Sequence, residues 1–163
     1  MKTALSILAV LLFPAGAVRA DEAPKLSLGY AFLQYTESGG GNAPLGAYLS
    51  GWSSSGTALE VDLAWHQKKD GDVKLNTFTV LAGFRKPFGK RDRPYVHLLG
   101  GLRHDKIEGE SATSWGGAAG VGIDLATGAG KGSLHIRVGA DYEMFFKNSD
   151  NLKAVRLTAG LTF

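Results

Sequence analysis

Alternation is strictest over SLHIRVGADYEMFF, Ser133 to Phe146. Leu134, Ile136, Val138, Ala140, Tyr142, Met144 and Phe146 share one edge, and His135, Arg137, Asp141 and Glu143 lie on the other. A period of two places successive side chains on opposite faces, so this is a strand. The design recurs along the chain. KLSLGYAFLQYT sets Leu26, Leu28, Tyr30 and Phe32 against Ser27, Gly29 and Ala31, and TALEVDLAWH sets Leu59, Val61, Leu63 and Trp65 against Glu60, Asp62 and His66. VKLNTFTVLAGFRKPF opposes Phe78, Val80, Ala82 and Phe84 to Thr77, Thr79, Gly83 and Arg85, and YVHLLGGLRH opposes Val96, Leu98 and Leu102 to Tyr95, His97 and Arg103. In SWGGAAGVGIDLA, Trp115, Ala119, Val121, Ile123 and Leu125 face away from Gly116, Gly120, Gly122 and Asp124. KAVRLTAGLTF separates Val155, Leu157, Ala159, Leu161 and Phe163 from Arg156, Thr158, Gly160 and Thr162. One further ribbon, LGAYLSGWS, has mixed parity: Tyr48 and Trp52 argue for one facing, Leu45 and Leu49 for the other, and its facing stays open.

These are eight ribbons, separated by turn chemistry such as ESGGGNAP, QKKDGD, TGAGKG and NSDN. The 23 glycines and the poor helical periodicity place the chain in the all-β class. An even number of antiparallel strands closes on itself and removes the exposed edge. The predicted domain organisation is a signal peptide over 1–20 and a β-barrel over 21–163. Lys2, the apolar run Ile7 to Phe13, Pro14 and the small residues up to Ala20 make the leader, with cleavage after Ala20 or, as the alternative, after Ala17. Eight strands then share the processed chain at about eighteen residues each including connections, against the 9–11 that a membrane-crossing strand needs.

Charge adds little. Removing Lys2 and Arg19 from 18 basic residues leaves 16 against 15 acidic ones, so the pI of 9.2 is no nucleic-acid footprint. The one basic cluster, KPFGKRDRP near residue 90, reads as a solvated turn. With no cysteine, stability must come from burial or from the surrounding medium.

Two closed barrels share this periodicity. A lipocalin-like barrel turns the apolar face inward around a ligand, whereas a transmembrane barrel turns it outward to lipid. Charges of both signs recur on the polar face: Glu60, Asp62, Asp124, Asp141 and Glu143 against Arg85, Arg103, Arg137 and Arg156. They can pair across a narrow lumen, where the accompanying Gly, Ala, Ser and Thr leave them room. The opposite face is uncharged wherever its parity is readable. Aromatics gather near ribbon ends, with Phe32, Trp65, Trp115 and Phe146 toward one side and Trp52, Phe84, Phe88 and Phe163 toward the other, as two interfacial girdles would. The predicted fold is an eight-stranded antiparallel up-and-down transmembrane β-barrel.

On GAAGVGIDLA, HIRVGADYEMFF and AVRLTAGLTF the chain resembles the small eight-stranded outer-membrane barrels of Gram-negative bacteria, of the OmpA and OmpX type. Members end in an alternating strand with a terminal aromatic that the barrel assembly machinery reads. Leu161 and Phe163 match the two terminal apolar positions and Arg156 the upstream polar one, but Thr158 stands where glycine is usual and Gly160 follows instead. The resemblance implies integral outer-membrane localisation. As partners it implies outer-membrane lipid, lipopolysaccharide and the assembly machinery acting through the strand ending in Phe163, with no nucleic acid.

Some barrels of this kind are lipid A deacylases with a Ser, a His base and an acid on the lipid-facing wall. His135 and Glu143 raise that possibility, but Arg137 occupies the position where the deacylase pattern wants serine, and both residues lie on the predicted lumen face. His97 is also predicted inward, and His104 sits beside Asp105 at a loop edge; neither has a metal-ligand spacing. TGAGKGS departs from a phosphate loop at Leu125 and Gly132, and Asp70-Gly71-Asp72 lacks the other ligands of a calcium loop and reads as a hairpin turn. The expectation is therefore no catalytic, cofactor-binding or metal site and no cofactor. The leading function is a structural, membrane-integrity or surface-interaction role, not an open porin; the alternatives are a lipid A-modifying enzyme and a soluble periplasmic ligand-binding barrel. With the N-terminus periplasmic, loops near 37–44, 67–73, 105–113 and 148–152 face outward.

Overall fold

The computed structural model describes residues 26–36, 41–53, 57–89, 92–128, 134–147 and 150–163. The predicted leader and its cleavage positions lie outside these residues. The strands are β1 (Leu26–Tyr35), β2 (Asn42–Ala43), β3 (Leu45–Trp52), β4 (Ala58–Asp70), β5 (Val73–Pro87), β6 (Arg93–Ile107), β7 (Glu110–Ala126), β8 (His135–Lys147) and β9 (Asp150–Thr162). Each of β3 to β8 pairs antiparallel with the next, and β1 pairs with both β3 and β9, which closes the sheet. The short β2 continues the line of β3 against β1, so the wall has eight staves.

The break between β2 and β3 explains the mixed parity of LGAYLSGWS. Leu33 stands opposite Ala43 and Tyr30 opposite Ala47, so two residues of β1 face the three residues Pro44, Leu45 and Gly46. This is a β-bulge, at a proline that cannot donate to the ladder. It flips the facing. Beyond it Gly46, Tyr48 and Ser50 are buried in the lumen, while Leu45 and Ala47 are exposed outside.

The stagger of the barrel follows from the register. Pairs traced from Leu26 through Gly51, Val61, Ala82, Gly100, Gly117, Met144 and Lys153 return to β1 at Thr36, ten residues on. Such a shear tilts eight strands and leaves an interior that side chains fill.

At one end of the barrel the connections are tighter than the predicted loops. Most of 67–73 and 105–113 is strand, closed by two-residue turns at Gly71-Asp72 and Glu108-Gly109. Of the other two predicted loops, 42–43 and 150–152 are paired strand, and 37–40 and 148–149 lie outside the described residues. We call this the hairpin end; Leu26 and Phe163, which exchange backbone hydrogen bonds, mark the opposite, terminal end.

Glu108 (φ 44°) and Gly109 (φ 95°) are both left-handed, the requirement of a type I′ turn, whose twist suits a hairpin. Glutamate is a poor occupant of that region, whereas asparagine tolerates it. Glu108→Asn should therefore raise the unfolding free energy by about 0.5–1 kcal/mol, read as a higher urea midpoint at unchanged slope.

Candidate functional site: a filled lumen inside an apolar belt

The lumen is stacked in three tiers. At the terminal end, Ser50 donates to Glu60 at 2.6 Å, Arg85 bonds Asp124 at 2.5 Å, and Arg137 Nε donates to Asp124 at 2.8 Å. Trp52 and Tyr95 cover these two guanidiniums. Arg85 lies 4.2 Å from the Trp52 ring centre and 3.5 Å from that of Tyr95, and Arg137 lies 4.4 Å and 5.0 Å away. Stacking on aromatic faces lets arginine keep its charge where water is scarce.

The middle tier is organised by Arg156, which donates to Asp62 at 2.6 Å and to Asp141 at 2.8 Å. Its Nε also lies 3.3 Å from Glu143 Oε1, an ion-pair contact without hydrogen-bond alignment. His97 links the lower two tiers, with Nδ1 2.9 Å from Glu60 and Nε2 2.7 Å from Asp141. A ring that meets a carboxylate at each nitrogen has the geometry of a doubly donating imidazolium. Gly120 makes that bond possible: a Cβ there would stand 1.9 Å from Asp141 Oδ1 and 2.6 Å from His97 Nε2. The glycines of the β7 inner face are therefore space for the network, and Gly122 likewise clears the Tyr95 ring.

The third tier, toward the hairpin end, begins with an apolar layer of Leu81, Leu99, Ala118 and Phe145, against which Leu152 packs. Leu33, Ala43 and Ala154 form a second apolar cluster in the lumen. Above the first layer Arg103 bonds Asp105 at 3.0 Å and the Tyr35 hydroxyl at 2.8 Å, while Thr77 donates to Asp105 at 2.6 Å. Neither apolar cluster was read from the sequence, because Leu81, Leu99 and Phe145 of the first and Leu33 of the second sit on the polar parity and break its rule.

Outside, the order of chemistry is reversed, except that Lys69, Lys74, Lys86, Lys106 and Lys153 put charge near the strand ends of a face expected to carry none. Leu28, Leu59, Val80, Leu98, Val121, Val138, Leu157 and Leu161 are exposed around the circumference. Trp115 stacks on Phe146 at 4.6 Å between ring centres, and Phe84, Phe88 and Phe163 are exposed toward the terminal end. Trp52 does not belong to that girdle. The bulge at Pro44 turns its parity inward, and its ring serves Arg85 and Arg137 instead.

Compared with solved structures, the chain is similar to Ail, the attachment invasion locus protein of Yersinia pestis, at TM-score 0.58 and 18% identity, over 88% of this chain and 99% of that one. It is similar to the N-terminal β-barrel domain of Pseudomonas aeruginosa OprF at TM-score 0.58 and 15% identity, over 87% and 99%. The outer membrane protein OprG of P. aeruginosa matches at TM-score 0.58 and 12% identity, over 86% and 95%. This is the fold of the small eight-stranded outer-membrane barrels. No family model matches the chain, and no curated protein matches it in sequence.

Within this fold the residues weighed for chemistry are placed as follows. His135, Arg137 and Glu143 are all buried in the lumen and not on the outward apolar face. Arg137 is held by Asp124, and Glu143 faces Arg156. His97 is the bridge between Glu60 and Asp141. His104 and Asp105 diverge across the sheet: the His104 ring meets Thr113 Oγ1 at 3.0 Å on the outside, while Asp105 pairs with Arg103 inside. Asp70-Gly71-Asp72 forms the β4–β5 turn, and residues 129–133 of TGAGKGS lie outside the described residues.

Proposed function

We infer that the chain is an integral outer-membrane barrel whose role is structural or surface-presenting, without catalysis and without an open pore. One observation carries this reading: large apolar side chains ring the outside while Arg85, Arg103, Arg137 and Arg156 are buried within, each against a carboxylate. In water such a surface would aggregate, and in a bilayer it is the required one. Closure leaves no backbone edge unbonded in hydrocarbon. The tiered lumen supports a plugged interior, since the Trp52 and Tyr95 rings with their arginines and the Leu81, Leu99 and Phe145 layer block it at two heights.

In this reading residues 1–20 are a signal peptide that is removed. The assembly machinery engages β9 and the Phe163 that follows it, with Leu157, Leu161 and Phe163 exposed, and lipopolysaccharide surrounds the hairpin end. The two-residue turns at Gly71-Asp72 and Glu108-Gly109 leave these two hairpins with short tips, which favours a membrane-integrity role over attachment of the kind named for Ail.

The test is expression in a Gram-negative host followed by fractionation and planar-bilayer recording. The expected result is heat-modifiable protein in the outer-membrane fraction with no steady conductance. Recovery with the soluble periplasmic contents, or sustained open-channel current, would contradict the reading.

A further inference from the structure

The outward faces of β4, β5 and β6 change chemistry row by row toward the hairpin end. Leu63, Val80 and Leu102 stand abreast. One row up, Trp65 faces Phe78 and Phe78 faces His104. In the next, Gln67 Nε2 donates to Asn76 Oδ1 at 3.0 Å, and Asn76 faces Lys106. In the last, Lys69 stands directly opposite Lys74, and both are exposed. Like charges directly opposed across a ladder weaken a sheet. Among the outward positions of these strands whose side chains are described, none is acidic: Glu60, Asp62 and Asp105 point into the lumen, and the exposed Asp72 lies in the turn beyond the lysine pair.

A graded column of aliphatic, aromatic, amide and ammonium groups is complementary to an amphiphile with an anionic head. We propose that this column seats a phosphorylated lipid of the surrounding leaflet. Its phosphate lies among Lys69, Lys74 and Lys106, its hydroxyls meet the Gln67 and Asn76 amides, and its acyl chains run down Trp65, Phe78 and the aliphatic row. Lys69 and Lys74 lie one ladder pair below the Gly71-Asp72 turn and face outward in line with the apolar belt, which favours a membrane lipid over a soluble polyanion. The proposal rests on the bilayer reading above.

The test uses the full folded barrel in phosphatidylcholine nanodiscs, with bisphosphorylated lipid A, its dephosphorylated form, inorganic phosphate and heparin as probes in native mass spectrometry. Bisphosphorylated lipid A should bind saturably. The double variant Lys69→Gln/Lys74→Gln, which leaves heat-modifiable migration intact, should bind it about thirtyfold more weakly, at the strength typical of two lysines near a lipid surface. Lys153→Gln, on the outward face of β9, should leave the affinity unchanged. Equal affinity of the double variant, or equal affinity of the dephosphorylated lipid, would overturn the seat. Tighter binding of heparin or inorganic phosphate at the same lysines would assign it to a soluble anion and overturn it as well. If the barrel enters bilayers yet shows no lysine-dependent lipid, only the seat falls; if it does not enter them, the reading beneath it falls.

Discussion

Replacing Arg156 with methionine should lower the unfolding free energy by about 3–5 kcal/mol, the range for removing one partner of a buried ionic cluster. The guanidinium is 1% exposed and sits among Asp62, Asp141 and Glu143. Without it three buried carboxylates share a narrow space, and their desolvation is uncompensated. The arginine matters here less as a source of net attraction than as the counter-charge that lets the others be buried. Two further variants separate these meanings. Arg156→Lys keeps the charge but loses the fork that reaches several oxygens at once, so it should fall between the wild type and methionine. Arg156→Met combined with Asp62→Leu and Asp141→Leu removes most of the stranded charge, so the loss should be much smaller than for Arg156→Met alone. Urea titration of the barrel in phospholipid vesicles, followed by tryptophan emission, measures all three. Equal stability of Arg156→Met and the wild type would mean that the middle tier is hydrated and loosely held.

Leu157→Arg should cost about 2–4 kcal/mol, as for a cation placed on the lipid face near the bilayer midplane. Leu157 is 47% exposed on β9, flanked across the sheet by Phe32 and Ala140, with no charged side chain on the outward face beside it. Val138→Arg, on β8 and 49% exposed, tests a second stave and should fall in the same range of about 2–4 kcal/mol. If this same outward face met water instead of lipid, an exposed arginine would cost within about 0.5 kcal/mol. Folding in vesicles followed by urea titration distinguishes the two. Near-zero cost at both positions would mean that this outward face meets water rather than acyl chains.

How much of this was legible beforehand depends on which physical rule each residue obeys. Period two alone placed β4 to β9 and sorted Arg85, Arg103, Arg137 and Arg156 to one face and Val80, Val121, Val138 and Leu157 to the other. Parity could not resolve β3, because Pro44 inserts a residue against β1 and reverses every side chain beyond it; Trp52 was misplaced for that reason. Hydrophobicity also fails as a guide to facing once the interior itself has an apolar layer. Leu81 and Phe145 obey the pleat but not the polarity rule. The partners within the lumen were out of reach for a different cause: Arg156 meets Asp62 across 94 residues of chain, and only the stagger of the closed sheet brings them together. The two-residue turns were partly visible in the glycines of Asp70-Gly71-Asp72 and Glu108-Gly109, but strand ends made of Lys68, Lys69, Lys106 and Glu110 have a loop's composition.

Contact between the apolar wall and acyl chains can be read from tryptophan emission. Trp115, 65% exposed, is its most accessible reporter, and the difference between the wild type and Trp115→Phe isolates its emission from the enclosed Trp52 and from Trp65. In reconstituted vesicles the account predicts strong quenching of that difference signal by brominated phospholipid and protection from aqueous iodide. Iodide quenching without bromolipid quenching, from protein that stays monodisperse in detergent-free buffer, would contradict it.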